Sequence, residues 1–469
     1  MTETSTPESL GASLDRLPWS PRHTTILLAL GAGWLFDSLE VQLFSSAVGP
    51  LGDHFHASVF ARDSVLAVWL SGILIGALTG GALTDRLGRR RMFVLTLLWY
   101  AGFTVLTGLS PSLGFVYVLR FLAALGVGAE YAIVNAAIAE FMPARVRGRA
   151  SVTVMNFWPA GAVIAALLAY FLLDTLALGS ATSWRYLFVL GGLLALIVLY
   201  FRRRIPESPR WLAARGRTAE AEQIVADLEH ACGITRPTPN EAAAEPERQT
   251  PSTRAALGEL VRRYPGRLAL GTALDLAEAF GYYGIFALLS VVVLPAVHIG
   301  SAQIPFFYIV GNVGGLIGGL TAAALLDRAG RRVTVTGSYL AAAAGVGLLA
   351  AATATGSGAW VTAAFVVANG VATAAWTSAY PTFSELFPTH LRGAGIGMCV
   401  AVGRIGAILG TLSLPDVATR IGPTASYLLV IAFWLVGAGA MTAYGARGGT
   451  EAAGRALESL VPAPVPAPA

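Results

Sequence analysis

Twelve apolar runs, each of roughly the 20 residues that carry a helix across a ~30 Å hydrocarbon layer, follow one another along this chain with little between them. They lie near 24–48, 64–84, 92–109, 114–137, 150–173 and 185–201, and again near 268–294, 304–326, 333–352, 360–380, 394–415 and 424–445. Lipid offers no water to backbone N–H and C=O groups, so each run must close its own hydrogen bonds and is expected as a helix, not an open strand. Only 13% of the 469 residues are charged and 55% are hydrophobic, whereas soluble domains carry about a quarter charged residues. The length therefore serves many spans rather than several soluble domains.

The net charge of +5 reports topology rather than a nucleic-acid partner. All 32 basic residues are arginine, and they crowd into alternate short loops as cytoplasmic segments do. One set of loops holds Arg86, Arg89, Arg90 and Arg91, then Arg145, Arg147 and Arg149, then Arg328, Arg331 and Arg332, then Arg392; the opposite set holds little beyond Arg62, Arg185 and Arg420. Both termini are thus expected in the cytoplasm. The division expected is a tail at 1–23, a six-helix half at 24–201, a connector at 202–267, a second half at 268–445 and a tail at 446–469. Within the connector, Thr218 to Leu228 reads as a short surface helix and Thr235 to Thr253 as disordered. The two cysteines, Cys232 and Cys399, indicate no disulfide framework. The first 22 residues lack a cleavage site, so the first span is expected to act as its own insertion signal.

The two halves repeat. GALTDRLGRR at 81–90 matches AALLDRAGRR at 323–332, and EFMPARVRG at 140–148 matches ELFPTHLRG at 385–393. Two parallel six-helix units with a site near the midplane between them are a standard transporter design. At these residues the sequence resembles the major facilitator superfamily over nearly its whole length, and PESPRWL at 206–212 narrows the resemblance to the sugar-porter and metabolite:proton symporter branches. GWLFDSLEVQLFSSAVGPL in span one, RFLAALGVGAE in span four, FGYYGIF in span seven, AYPTFSELFPTHLRGAG at span ten and VGRIGAILG in span eleven are similar to nicotinate and aromatic-acid symporters. Span seven lacks the glutamine-rich pattern of sugar porters, and span five reads NFWPAGAV where drug antiporters carry a GP-centred motif. The fold class expected is an all-α membrane protein of twelve transmembrane helices in two pseudo-symmetric halves.

Ionisable groups inside spans are the sharpest functional signal, since insertion scales put each at about 2.5–3.5 kcal/mol at a helix centre. Asp37 and Glu40 share one face of span one, and two desolvated carboxylates this close do not easily both stay charged. They are candidates for proton coupling, with Glu130 and with Arg120, which the resemblance assigns to proton handling. Asp275, Glu278 and Tyr282 repeat the spacing in span seven, with Asp275 near enough to the cytoplasmic end to be solvated. Arg120 and Glu130 are too far apart to pair, and Glu130 is expected to meet Arg404 or a polar group of another helix. Arg404 is expected to grip a substrate carboxylate bidentately. Trp34, Trp158, Tyr282, Tyr283, Trp376 and Tyr380, with Glu278, would complete a substrate site with stacking surfaces.

The loop residues Asp85, Arg86, Arg89, Arg90, Glu140, Arg147, Asp327, Arg331, Arg332, Glu385 and Arg392 are expected, by the resemblance, to form charge clusters that close the cytoplasmic end and part when the halves rock. No phosphate-cradling loop or nucleophile elbow supports a pump or hydrolase, and His54 and His56 lack a third metal ligand. The expected activity is proton-coupled import of a small organic acid such as nicotinate. A sugar, an organic cation or a receptor-like role without transport are the alternatives. No cofactor, metal or nucleic-acid partner is expected. The partners are substrate, protons and lipid, and the chain is read as a monomer of a bacterial inner membrane.

Overall fold

The computed structural model describes residues 10–170, 183–203, 205–234, 252–299 and 304–460. The part of the connector read as disordered, 235–251, lies outside the described residues. Among those described, all regular structure is helical. The first half contains α1 (Leu10–Arg16), α2 (Pro21–His54), α3 (Val59–Leu87), α4 (Arg89–Gly108), α5 (Leu113–Phe141), α6 (Arg147–Met155), α7 (Phe157–Tyr170) and α8 (Ser183–Arg202). Three short helices follow, α9 (Pro209–Ala214), α10 (Thr218–Ala231) and α11 (Thr253–Arg263). The second half contains α12 (Pro265–Leu288), continued by a π-turn into α13 (Leu294–Ala296), then α14 (Ile304–Leu326), α15 (Arg331–Ala354), α16 (Gly358–Leu386), α17 (Arg392–Arg420) and α18 (Pro423–Ala446), with α19 (Leu457–Leu460) beyond it.

Eleven helices among the described residues are long and apolar enough to cross a membrane. The expected fifth span differs: it is divided at Asn156, which separates α6 from α7. Pro159 lies three residues on, where its ring removes a donor from the helical ladder. The surface helix expected at Thr218–Leu228 forms as α10, and α11 begins where disorder was expected to end.

Glycine lets the helices approach. Hydrophobic attraction between helices fails in lipid, so small residues that bring backbones together supply the contact. Gly72, Gly76 and Gly80 seat α3 on α5, where a Cβ at Gly76 would run into the Leu125 carbonyl. Gly314 and Gly318 do the same for α14 on α16, against the carbonyls of Val366 and Gly370. Gly314 and Gly318 stand 242 residues after Gly72 and Gly76, the offset of the repeated loops. The two halves touch in the same way, with Gly81 of α3 on the Gly393 carbonyl and Gly397 of α17 on that of Ala77. At the loops joining α3 to α4 and α14 to α15, Gly88 (φ +90°) and Gly330 (φ +86°) take a conformation that L side chains rarely adopt.

Gly318→Val is expected to destabilise the protein by about 1–3 kcal/mol through overpacking. Thermal unfolding in detergent would show a lowered midpoint, and an unchanged midpoint would contradict the seam.

Candidate functional site

Charge inside the bundle is gathered into two lobes with an aromatic wall between them. In the first lobe Glu40 of α2 accepts from Arg120 Nη1 of α5 at 2.7 Å and from Thr104 Oγ1 of α4 at 2.7 Å. The Arg120 guanidinium lies 5.8 Å from the centre of the Trp69 ring and 5.5 Å from that of Phe188, so rings cover the pair and keep water from it. Glu130 of α5 forms an ion pair with Arg202 at the end of α8, both side chains buried. Arg202 also donates to the Phe93 carbonyl at 2.9 Å. Asp37 stands in the field of Arg202 and Glu40, buried, with its Oδ1 unpartnered among the described residues.

Glu130 thus meets Arg202, not Arg404. Arg202 was expected to open the connector; instead it is the last residue of α8, and its guanidinium folds back toward a carboxylate that has no water to solvate it. The bundle therefore holds three arginines, not two, against five acids.

In the second lobe Arg404 of α17 donates to the Tyr283 hydroxyl at 2.9 Å and the Tyr380 hydroxyl at 3.1 Å. Its guanidinium lies 5.2 Å from the Tyr131 ring centre and 5.3 Å from that of Tyr283. Among the described residues no carboxylate stands within ion-pair distance of it, and its Nε is buried without a partner. Asp275 and Glu278 of α12 act on it from farther off. Asp275 is not solvated by a helix end as expected but fully buried. It fits because α17 offers Gly403 there, where a Cβ would collide with the Asp275 carboxylate.

Trp34 is the hub of the wall. Its ring centre lies 4.9 Å from Tyr131, 5.6 Å from Trp376, 5.8 Å from Trp158 and 6.2 Å from Tyr380, all edge to face. Tyr282 adds a contact to Trp376 at 6.1 Å. These rings come from both halves, and the buried Trp34 Nε1 is unpartnered among the described residues. Arg404, Glu278, Tyr282, Tyr283, Trp158, Trp376 and Tyr380 therefore gather in one region. Tyr131 was missed, although it follows the quoted span-four motif directly.

At the arginine-rich end two charge networks mirror each other. Arg89 donates to Asp85 at 3.1 Å and Glu140 at 2.7 Å, and Arg392 of the other half reaches the same Glu140 oxygen at 3.1 Å. Arg331 bonds Asp327 at 2.8 Å and Glu385 at 2.8 Å, and Arg147 of the other half joins Glu385 at 2.8 Å. Asp85 accepts from the N–H groups of Gly393 and Ala394 at the start of α17, and Asp327 from those of Gly148 and Arg149 at the start of α6. Each carboxylate meets unpaired donors and the positive end of a helix dipole across the interface.

Three residues expected in these clusters stand apart. The Arg86 and Arg90 side chains are exposed, and Arg332 turns to the Gly449 carbonyl at 3.5 Å. Arg86 and Arg90 thus face outward, while Arg332 packs against Gly445 and Gly449. Two others were missed. Glu207 accepts from the N–H groups of Arg89 and Arg90 beside Gly88, and Glu451 from those of Arg331 and Arg332 beside Gly330. They stand 244 residues apart, in line with the repeat, and Glu207 sits inside the quoted PESPRWL. Burial pushes the Glu207 carboxyl up from its ordinary value, against the backbone N–H groups that hold it down.

The profile of the family described as "Sugar (and other) transporter" matches residues 63–461. The chain is 29% identical over 404 residues to the niacin transporter NiaP of Acinetobacter baylyi, covering 85% of this chain and 88% of that protein. It is 28% identical over 429 residues to the putative metabolite transport protein YyaJ of Bacillus subtilis, covering 90% and 92%. Among solved structures, the major facilitator superfamily proton:xylose symporter XylE bound to 6-bromo-6-deoxy-D-glucose superposes with a TM-score of 0.75 at 21% identity, covering 93% of this chain and 98% of that one.

Glu385→Gln is expected to lower stability by about 3–5 kcal/mol, because it leaves Arg147 and Arg331 buried without their shared carboxylate. Arg217→Gln, which removes an exposed pair with Glu220, should leave the thermal midpoint nearly unchanged. Equal midpoints for the two variants would refute the clasp.

Proposed function

The chain belongs to the sugar (and other) transporter family of the major facilitator superfamily, and from that premise we propose that it imports a small organic acid together with a proton by alternating access. The observation that carries this reading is Arg404: a buried guanidinium whose described hydrogen bonds go to two phenol hydroxyls rather than to a carboxylate. A substrate carboxylate supplies the missing anion, and the edges of Trp34, Trp376 and Tyr131 beside it suit a flat ring. Nicotinate or another aromatic carboxylate meets both demands. The name of the Acinetobacter relative agrees with that choice.

Asp37, Glu40, Arg120 and Glu130 form the proton-coupling set. Glu40 and Glu130 each hold an arginine, whereas Asp37 has no described ion pair and keeps a buried oxygen without a described partner, so Asp37 takes the proton. The networks around Glu140 and Glu385 form the gate at the arginine-rich end. By the distribution of arginines that end faces the cytoplasm of a bacterial inner membrane, with both termini inside and the chain acting as a monomer. Breaking the networks while a gate forms at the other end would exchange the accessible side.

A second reading rests on the acids. Five carboxylates in the bundle outnumber three arginines, so an organic cation beside Glu278 and Asp275 would also find compensation.

Nicotinate at 100 times its Kd is expected to stabilise detergent-purified protein by about 2.7 kcal/mol, and Arg404→Ala to abolish the shift. Stabilisation by organic cations or sugars alone would remove the acid from consideration. In liposomes, one monovalent acid moving with one proton is electroneutral. Uptake should follow the pH gradient, worth about 1.4 kcal/mol per unit, and ignore the membrane potential. Asp37→Asn should lose gradient-driven accumulation while keeping counterflow exchange. Strong dependence on potential would count against the stoichiometry.

A further inference from the structure

A cavity with a mixed polar and apolar lining lies outside the bundle interior, on the flank of the first half at the arginine-rich end. It encloses about 210 Å³ and is walled by Arg22 and Ile26 at the start of α2, Arg90 at the start of α4, Arg203 just past α8, and Asp227 and Leu228 of α10. Three arginines thus line one space with a single acid on its wall. None of the three has a described hydrogen bond or ion pair from its side chain, and no described pair ties them to Asp227. The transport site and the two networks use none of these three guanidiniums. Three uncompensated cations around a cavity form a receptor for an anion.

The surroundings say which anion. Trp19 (42% exposed), Tyr200 (59%) and Phe201 (42%) stand beside the cavity in sequence, three residues before Arg22 and two to three before Arg203. Exposed aromatic rings of this kind sit at the headgroup level of a bilayer, where an apolar ring and a polar edge are both accommodated. The helix faces below them are apolar and outward, with Leu193, Leu196 and Ile197 of α8 exposed. A ligand in this cavity would have its anionic part among arginines and apolar chains running down α8. Basic pockets between spanning helices at the headgroup level suit such a lipid.

We propose that this cavity binds the phosphodiester headgroup of an anionic phospholipid, held by Arg22, Arg90 and Arg203. Because the arginines come from the ends of α2, α4 and α8, one bound phosphate ties three spanning helices and α10 together, and the lipid acts as a structural part of the half that carries Asp37 and Glu130.

The test is native mass spectrometry of the full chain, with retained lipid read after exchange into matched phosphatidylglycerol or phosphatidylcholine. Phosphatidylglycerol should be retained preferentially, and each Arg→Gln change at 22, 90 or 203 should weaken retention about fivefold. Asp227→Asn, which leaves every arginine in place, should strengthen it and serves where a multiple arginine variant fails to fold. Equal retention of the two lipids, wild-type retention by the triple variant, or no gain in Asp227→Asn would overturn the site. Inorganic phosphate that competes off the lipid at equal concentration would show a free-anion site and overturn the lipid assignment.

Discussion

Two carboxylates decide how this bundle closes. Glu140 and Glu385 are each buried, and each shares its charge between an arginine of its own half and one of the other. A lone carboxylate at that depth would be costly, and so would a lone guanidinium. Neither half can therefore settle its charges alone, and the halves meet where the cost of separation is greatest. Asp85 and Asp327 extend the same logic to the helix ends of the opposite half, and Glu207 and Glu451 to the neighbouring ends of their own.

Such a clasp is strong only while it stays dry. The glycine contacts between α3 and α17 bring the backbones close enough to exclude water, which strengthens every charge contact beside them. Packing and electrostatics are coupled here: the small residues matter because of the charges, and the charges hold because of the small residues. The doubling gives both halves the same device at the same end.

The interior follows a different rule. Arg120 and Arg202 are neutralised by carboxylates, whereas Arg404 is left to tyrosine hydroxyls and ring faces. Of these three interior cations two face a carboxylate and the third does not. The Trp34 cluster lies between the charge lobes, so a ligand that moves its rings would change the surroundings of Asp37 and Arg404 together.

The number and order of the spans, the doubled loops and the gathering of Arg404 with Tyr283 and Tyr380 were legible in the residues, because a hydrocarbon layer dictates helix length and a repeat dictates symmetry. The described helices overlap the expected spans but run up to six residues past their ends, and the division at Asn156 depends on how a single turn breaks. Pairing was not legible. Glu130 could face several cations, and its choice of Arg202 depends on where α8 ends and which way its last side chain turns. The burial of Asp275 depends on a glycine of another helix, and the absence of Arg86, Arg90 and Arg332 from the clasp on which side of a helix end faces the partner half. The helices, their order and the charges the membrane must accommodate can be read from the residues, since those are properties of each segment in its solvent. Which charge meets which follows from the folded arrangement, because it depends on distances between segments far apart in the chain.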